Sequence, residues 1–122
     1  MSATSKTLKK VKHLMLNRTQ LENINLNIKK MKLGSLIKHY KKCGNPNCAC
    51  TKGKLHGPYW YLVYKENNKQ VLHYVHQKDL SKVRKLAESY KAFQKNMAKI
   101  RKFNKSILAL LDKIRSERLK KA

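Results

Sequence analysis

Three cysteines and a histidine fall between residues 43 and 56: Cys43, Cys48, Cys50 and His56, separated by four, one and five residues. Three thiolate sulfurs and one imidazole nitrogen form the tetrahedral, borderline-soft donor set that structural zinc prefers. Gly44, Pro46 and Gly53 let the intervening backbone turn tightly enough for the four side chains to converge. A closed site of this kind would add folding energy to a segment too short to have its own core. The spacing departs from the paired CxxC pattern, so a second reading stays open. In it the cysteines are small buried apolar groups and His56 hydrogen-bonds a loop carbonyl. His39, His73 and His76 are also near enough in sequence to supply the fourth ligand; His56 is favoured because it shares the loop. The predicted cofactor is structural Zn2+.

Three crowded thiols fit metal better than disulfides inside a cell, and the odd count points the same way. The start MSATSKTLKKVKHLML lacks the apolar core and small-residue cleavage site of a secretory signal. No run of about 18 apolar residues occurs, so no membrane span is expected. The expected location is the cytoplasm, in association with nucleoid or ribosome. Only six acidic residues exist and none is paired near the cysteines. No GxSxG, P-loop or HExxH pattern is present. A cysteine nucleophile with a histidine base can be drawn on paper, but the expectation is a protein that is not an enzyme.

Charge names the partner. Lysine and arginine number 30 against 6 acids in 122 residues, for a net charge of +24. That is far beyond what solubility asks for, and a polyanion is the simplest counterpart. Neutralising phosphates releases condensed counterions, so DNA or RNA heads the expectation, ahead of a merely solvated basic surface or an anionic membrane. Residues 1–42 carry 11 basic and 1 acidic side chains, residues 43–77 carry 4 and 1, and residues 78–122 carry 15 and 4. The ends supply most of the field. Arginines are few (Arg18, Arg84, Arg101, Arg115 and Arg118), and a lysine-dominated surface favours affinity over base discrimination.

The elements that must position these groups follow from periodicity. Leu8, Val11, Leu14, Met15, Leu21, Ile24, Ile28 and Met31 recur at three- and four-residue steps, predicting a helix from residue 5 to about 32, with Gly34 as its stop. SLIKHYKK (35–42) suits a strand better than more helix. After the cysteine loop, PYWYLVYKE and KQVLHYVHQ flank Asn67 and Asn68, a hairpin pattern. With that turn, Tyr59, Tyr61, Val63, Lys65, Gln70, Leu72, Tyr74 and His76 share one face, and Trp60, Leu62, Tyr64, Val71, His73 and Val75 the other. From Asp79, a plausible N-cap, to about Leu119 there is neither glycine nor proline. Val83, Tyr90, Met97, Asn104 and Leu111 repeat every seven residues, as do Leu86, Phe93, Ile100, Ile107 and Ile114. This heptad seam, with Asn104 as its register-fixing polar residue, would pack on the first helix or on another copy of the chain.

Residues 34–76, GSLIKHYKKCGNPNCACTKGKLHGPYWYLVYKENNKQVLHYVH, resemble a family of small, uncharacterised microbial proteins. The family shares a CGxPxCxC segment, then HGPY and an aromatic strand, then a helix like LSKVRKLAESYKAF. Its members are often found near mobile genetic elements. The resemblance implies the cysteine knuckle and this layout, and names no activity. A weaker, architectural likeness is to the arm-type DNA-binding domains of tyrosine integrases, in which a three-stranded sheet backed by a helix enters the major groove. YWYLVYKENNKQVLHYVHQKDLSKVRKLAESY has that strand, turn, strand, helix order.

The resulting expectation is an α+β fold in one domain, 1–122: a helix over 5–33, a zinc knuckle with a three-stranded antiparallel sheet over 34–77, and a long coiled-coil-like helix over 79–119. Its function would be nucleic-acid binding, as a DNA-binding accessory or regulatory factor. An RNA- or ribosome-associated protein and a coiled-coil interaction protein are the alternatives. Lys38, Lys41, Lys42, Lys52, Lys54 and the Tyr59, Tyr61, Tyr74 face would supply close contacts. Arg84, Lys85, Lys91, Lys95, Lys99, Lys102 and Lys105 would meet phosphates along the last helix. The 83–114 seam is the expected homodimer contact.

Overall fold

The computed structural model describes residues 5–120. In order come helix α1 (Ser5–Leu26), strand β1 (Ser35–Lys41), a 3-10 turn (Ala49–Lys52), strands β2 (His56–Glu66) and β3 (Lys69–Val75), a second 3-10 turn (Gln77–Asp79) and helix α2 (Leu80–Arg118). The fold class is α+β, as expected. The chain divides into two compact units, one of residues 30–90 and one joining residues 1–29 to residues 91–122.

In the first unit the strands form an antiparallel sheet in the order β1-β2-β3. The β2–β3 turn falls on Asn67 and Asn68, with φ of 51° and 64°. A two-residue hairpin turn matching the strand twist needs positive φ at both positions, which asparagine tolerates. Register then follows: Trp60 pairs with Val75, Tyr61 with Tyr74, Leu62 with His73 and Tyr64 with Val71. The alternation therefore divides the hairpin into the two expected faces.

The inner face supplies the core. Leu62 and Val75 pack with Leu80, Val83 and Ala87, which lie at three- and four-residue steps on the first turns of α2, and Leu36 and Trp60 flank them. Burying each large side chain contributes about 1.5–3 kcal/mol, and so few of them make a small core. Gly34 serves this packing and not a helix stop. A Cβ there would lie 2.9 Å from the Val63 carbonyl and 3.0 Å from the Leu62 side chain, at φ of 124°. The amide of Lys32 donates to the Leu86 carbonyl at 3.0 Å, fixing the approach to β1.

Helical geometry before α2 begins earlier than the sequence suggests. His76, extended and without a side-chain cap hydrogen bond, precedes the turn Gln77–Asp79. Asp79 thus sits just inside the first helical turns, where its charge suits the positive end of the helix dipole.

In the second unit α1 lies antiparallel to α2, since Arg18 meets Asn104 whereas Asn25 meets Phe93 and Asn96. Arg18 donates from Nη1 to Asn104 Oδ1 at 2.8 Å, and its buried Nε lies 3.6 Å from Glu22 without a hydrogen bond. Asn25, 6% exposed, donates to the Phe93 carbonyl at 3.2 Å and accepts from Asn96 at 2.9 Å. Val11, Ile100, Ile107 and Ile114 are buried here.

Two expectations about the helices are corrected. The helix predicted to reach residue 32 stops at Leu26. Asn23, Asn25 and Asn27 are weak helix formers, and the amides of Asn27 and Ile28 shift to the carbonyls of Ile24 and Asn25 in tighter turns. Of the two heptad rows, only Leu86, Phe93, Ile100, Ile107 and Ile114 is covered along its length. Met97 and Leu111 stay exposed, at 36% and 46%. A single neighbouring helix covers one narrow stripe, and a straight helix drifts against a strict seven-residue repeat. Met15, Ile24 and Met31 are exposed as well.

Candidate metal centre and basic sheet face

The sheet itself brings the two ends of the cysteine loop together. Lys41, the last residue of β1, pairs with His56, the first of β2, across a bulge between His39 and Lys41. Cys43 and His56 are therefore held side by side where the strands close. The loop between them folds on local hydrogen bonds. Asn45 accepts from the Cys48 amide through its carbonyl (3.2 Å) and from the Asn47 amide through its side chain (3.0 Å). The Cys48 carbonyl accepts from the amide and the hydroxyl of Thr51, at 3.1 and 2.8 Å. Those bonds close the 3-10 turn that carries Cys50 inward, where it is fully buried.

Gly57, next to the histidine, has φ of 129°, and a Cβ there would lie 2.9 Å from the His39 carbonyl. The close approach of β1 to β2 beside His56 requires glycine at this point.

The ligand atoms of Cys43, Cys48, Cys50 and His56 all lie within 4.8 Å of one another. Cys43 Sγ is 3.4 Å from Cys50 Sγ, and Cys48 Sγ is 3.1 Å from His56 Nε2. Donors around a tetrahedral zinc ion sit roughly 3.5–3.9 Å apart, so opening the two close pairs and drawing in the wider ones would let the cluster hold one. No disulfide joins the thiols. The alternative in which His56 bonds a loop carbonyl does not describe the geometry, because its Nε2 meets the Cys48 sulfur. His39, His73 and His76 are not part of the cluster.

Electrostatics distinguish the thiols. That of Cys48 is lowered from 9.0 to about 6, chiefly by the Cys50 amide directed at its sulfur, then by the neighbouring Cys43 and Cys50 thiols, with His56 adding least. Burial pushes the Cys50 thiol up. A thiolate already favoured at neutral pH is the form that binds metal.

The basic residues divide between surfaces. Lys41 lies on the tyrosine face: its Nζ donates to Tyr61 Oη at 2.6 Å and stands 5.5 and 5.1 Å from the ring centroids of Tyr59 and Tyr61. Lys38 lies on the opposite face, because it pairs with Trp60. Its Nζ is 5.3 Å from the indole, and the Arg84 guanidinium is 4.9 Å from the same ring. These contacts join Lys38 and Arg84 to the edge of the core. Lys42, Lys52, Lys54 and Lys85 are exposed in the sheet unit, and Lys91, Lys95, Lys99, Lys102 and Lys105 are exposed on the helical unit.

Sequence reasoning weighed His39 and His76 only as alternative metal ligands; the structure sets the His39 ring edge-on to Tyr61 at 6.2 Å and His76 5.0 Å from Tyr74. That reasoning also passed over Arg18 and Asn25, which occupy the seam at seven-residue spacing between Val11, Leu14, Leu21 and Ile28. That spacing was the available signal, hidden by searching for apolar residues alone.

The architecture and the donor set define an α+β protein with a Cys3His cluster capable of holding a metal ion. Residues 8–85 match the model of a domain of unknown function, DUF6788, and the chain belongs to that family. No curated protein and no solved structure matches it.

Proposed function

We propose that this protein binds nucleic acid, as a non-catalytic accessory or regulatory DNA-binding factor, and that Cys43, Cys48, Cys50 and His56 hold a structural zinc ion. The observation that carries the binding reading is the charge: 30 basic against 6 acidic residues. In the sheet unit the acids are only Glu66, Asp79 and Glu88, so its lysines have few internal partners and are available to phosphates. Zinc is supported by the chemistry of the donors and their mutual distances. Its part is to tie the loop that flanks Lys41 and Lys42 to the sheet, so that these cations are held in place before a ligand arrives. The strand, turn, strand, helix order of residues 59–90 also resembles, at the level of architecture, integrase arm domains that present a sheet to DNA.

The test is direct. Fluorescence anisotropy of purified protein with a labelled DNA duplex and a structured RNA should show binding whose log K falls linearly with log salt, by roughly 0.9 per phosphate neutralised on duplex DNA. Stronger binding to structured RNA, or co-sedimentation with ribosomes, would redirect the reading to an RNA-associated role. Indifference to both polymers in dilute buffer would end it.

A further inference from the structure

A sheet covered on one side by a helix ordinarily turns polar side chains to the solvent on the other. This one does not. Its outer face carries Ile37, Val63, Leu72, Tyr59, Tyr61 and Tyr74, with Leu72 54% and Tyr74 45% exposed. The rings form a connected series across the strands: His39 to Tyr61 at 6.2 Å, Tyr61 to Tyr74 at 5.7 Å and Tyr74 to His76 at 5.0 Å, each pair edge to face. The sheet's one acid, Glu66, stands at the end of β2 beside the hairpin turn.

Cations stand beside this apolar surface. Lys41 is bonded to the Tyr61 hydroxyl. With Lys42, Cys43, His56 and Tyr59 it lines a recess of about 390 Å³. Aromatic rings next to an anchored Lys41 and an exposed Lys42, with no carboxylate among them, match a ligand that offers flat rings and negative charge in alternation. Unpaired nucleic acid is such a ligand, because every base has an exposed π-face and every linkage a phosphate. A duplex is not, since its bases are already stacked and present only edges and backbone.

We propose that the outer face of the sheet is a seat for unpaired nucleic acid, with bases stacking on Tyr61 and Tyr74 and phosphates held by Lys41 and Lys42. This rests on the nucleic-acid reading above and narrows it to one surface and one state of the polymer. Tyr61 and Tyr74 supply sequence-tolerant affinity, and the metal-tied loop fixes the phosphate end of the site.

The experiment compares three labelled probes of equal length by anisotropy on the full-length, zinc-loaded protein: a mixed-sequence single strand, an abasic strand with the same phosphates, and a duplex. Single strands are used as both DNA and RNA, to show whether the sugar matters. Base stacking predicts that the base-bearing strand binds at least roughly 10-fold more tightly than the abasic one. Tyr74→Leu should weaken single-strand binding about 5- to 100-fold and leave duplex and abasic binding within about 2-fold. Tyr74→Phe keeps the ring and should restore single-strand binding to near wild type. Each variant's melting temperature and zinc content should match wild type, which separates lost stacking from lost fold. Equal affinity for abasic and base-bearing strands, or equal losses on all three probes, would overturn the proposal while leaving electrostatic binding intact. Binding to none of the probes would overturn both readings.

Discussion

The two units meet the same difficulty, too little apolar surface to make a sizeable core, by different means. The sheet unit packs a handful of side chains around Leu62 and Val75 and adds a cluster of four metal-type ligands at the far end of its strands. The helical unit has no such cluster among its described residues. It relies on a single apolar stripe interrupted by Arg18, Asn25, Asn96 and Asn104, whose hydrogen bonds admit one alignment of α1 against α2. Ligation in the first can supply much folding energy at one point, whereas polar pairing in the second contributes modestly but selects register.

Metal removal is expected to break the comparison most visibly. Structural zinc contributes apparent binding energies of about 10–16 kcal/mol in small metal-folded modules, so chelation or Cys50→Ser should disorder the sheet unit. Trp60 fluorescence and near-ultraviolet circular dichroism should change, while much of the helical signal at 222 nm persists. Elemental analysis of the untreated protein should give one zinc per chain; a metal-free protein with unchanged stability would show that the cysteines merely pack. Next in size, Leu62→Ala removes the centre of the small core and should cost about 2–5 kcal/mol in denaturant melts. A loss much below that range would mean the cluster, not the apolar core, dominates this unit.

Asn25→Ala should cost about 1–3 kcal/mol, because it strips Asn96 of its acceptor inside the helical unit. If melting is unaffected but oligomeric state changes in sedimentation, the polar pairs act chiefly in specificity. Smallest of all, Asn68→Gly should stabilise the hairpin by a few tenths to about 1 kcal/mol, since glycine adopts the required positive φ without strain. Destabilisation instead would show that the asparagine side chain holds the turn by a bond of its own.

Much of the sheet unit was legible beforehand because its signals are local. A polar Asn-Asn pair between two aromatic runs specifies a turn, and alternation about that turn assigns both faces. The crowding of Cys43, Cys48, Cys50 and His56 likewise marked the ligand set, including the choice of His56 over three other histidines. Less could be read where the outcome depends on a partner distant in sequence. Alternation in SLIKHYKK puts Lys38 and Lys41 on opposite faces, but only register against β2 shows that one meets Trp60 and the other Tyr61.

By itself the sequence determined the helix, sheet, helix order, the hairpin turn, the donor set and the excess of positive charge, because each depends on residue type and short spacing. Tertiary structure decided which heptad row is covered, and that Arg18 and Asn25 belong to the seam. It also set His39, Tyr61, Tyr74 and His76 in one connected series on the open face of the sheet. The physical reason is common to all of these: burial and ring contact depend on what lies opposite, and only the packed chain supplies the opposite surface.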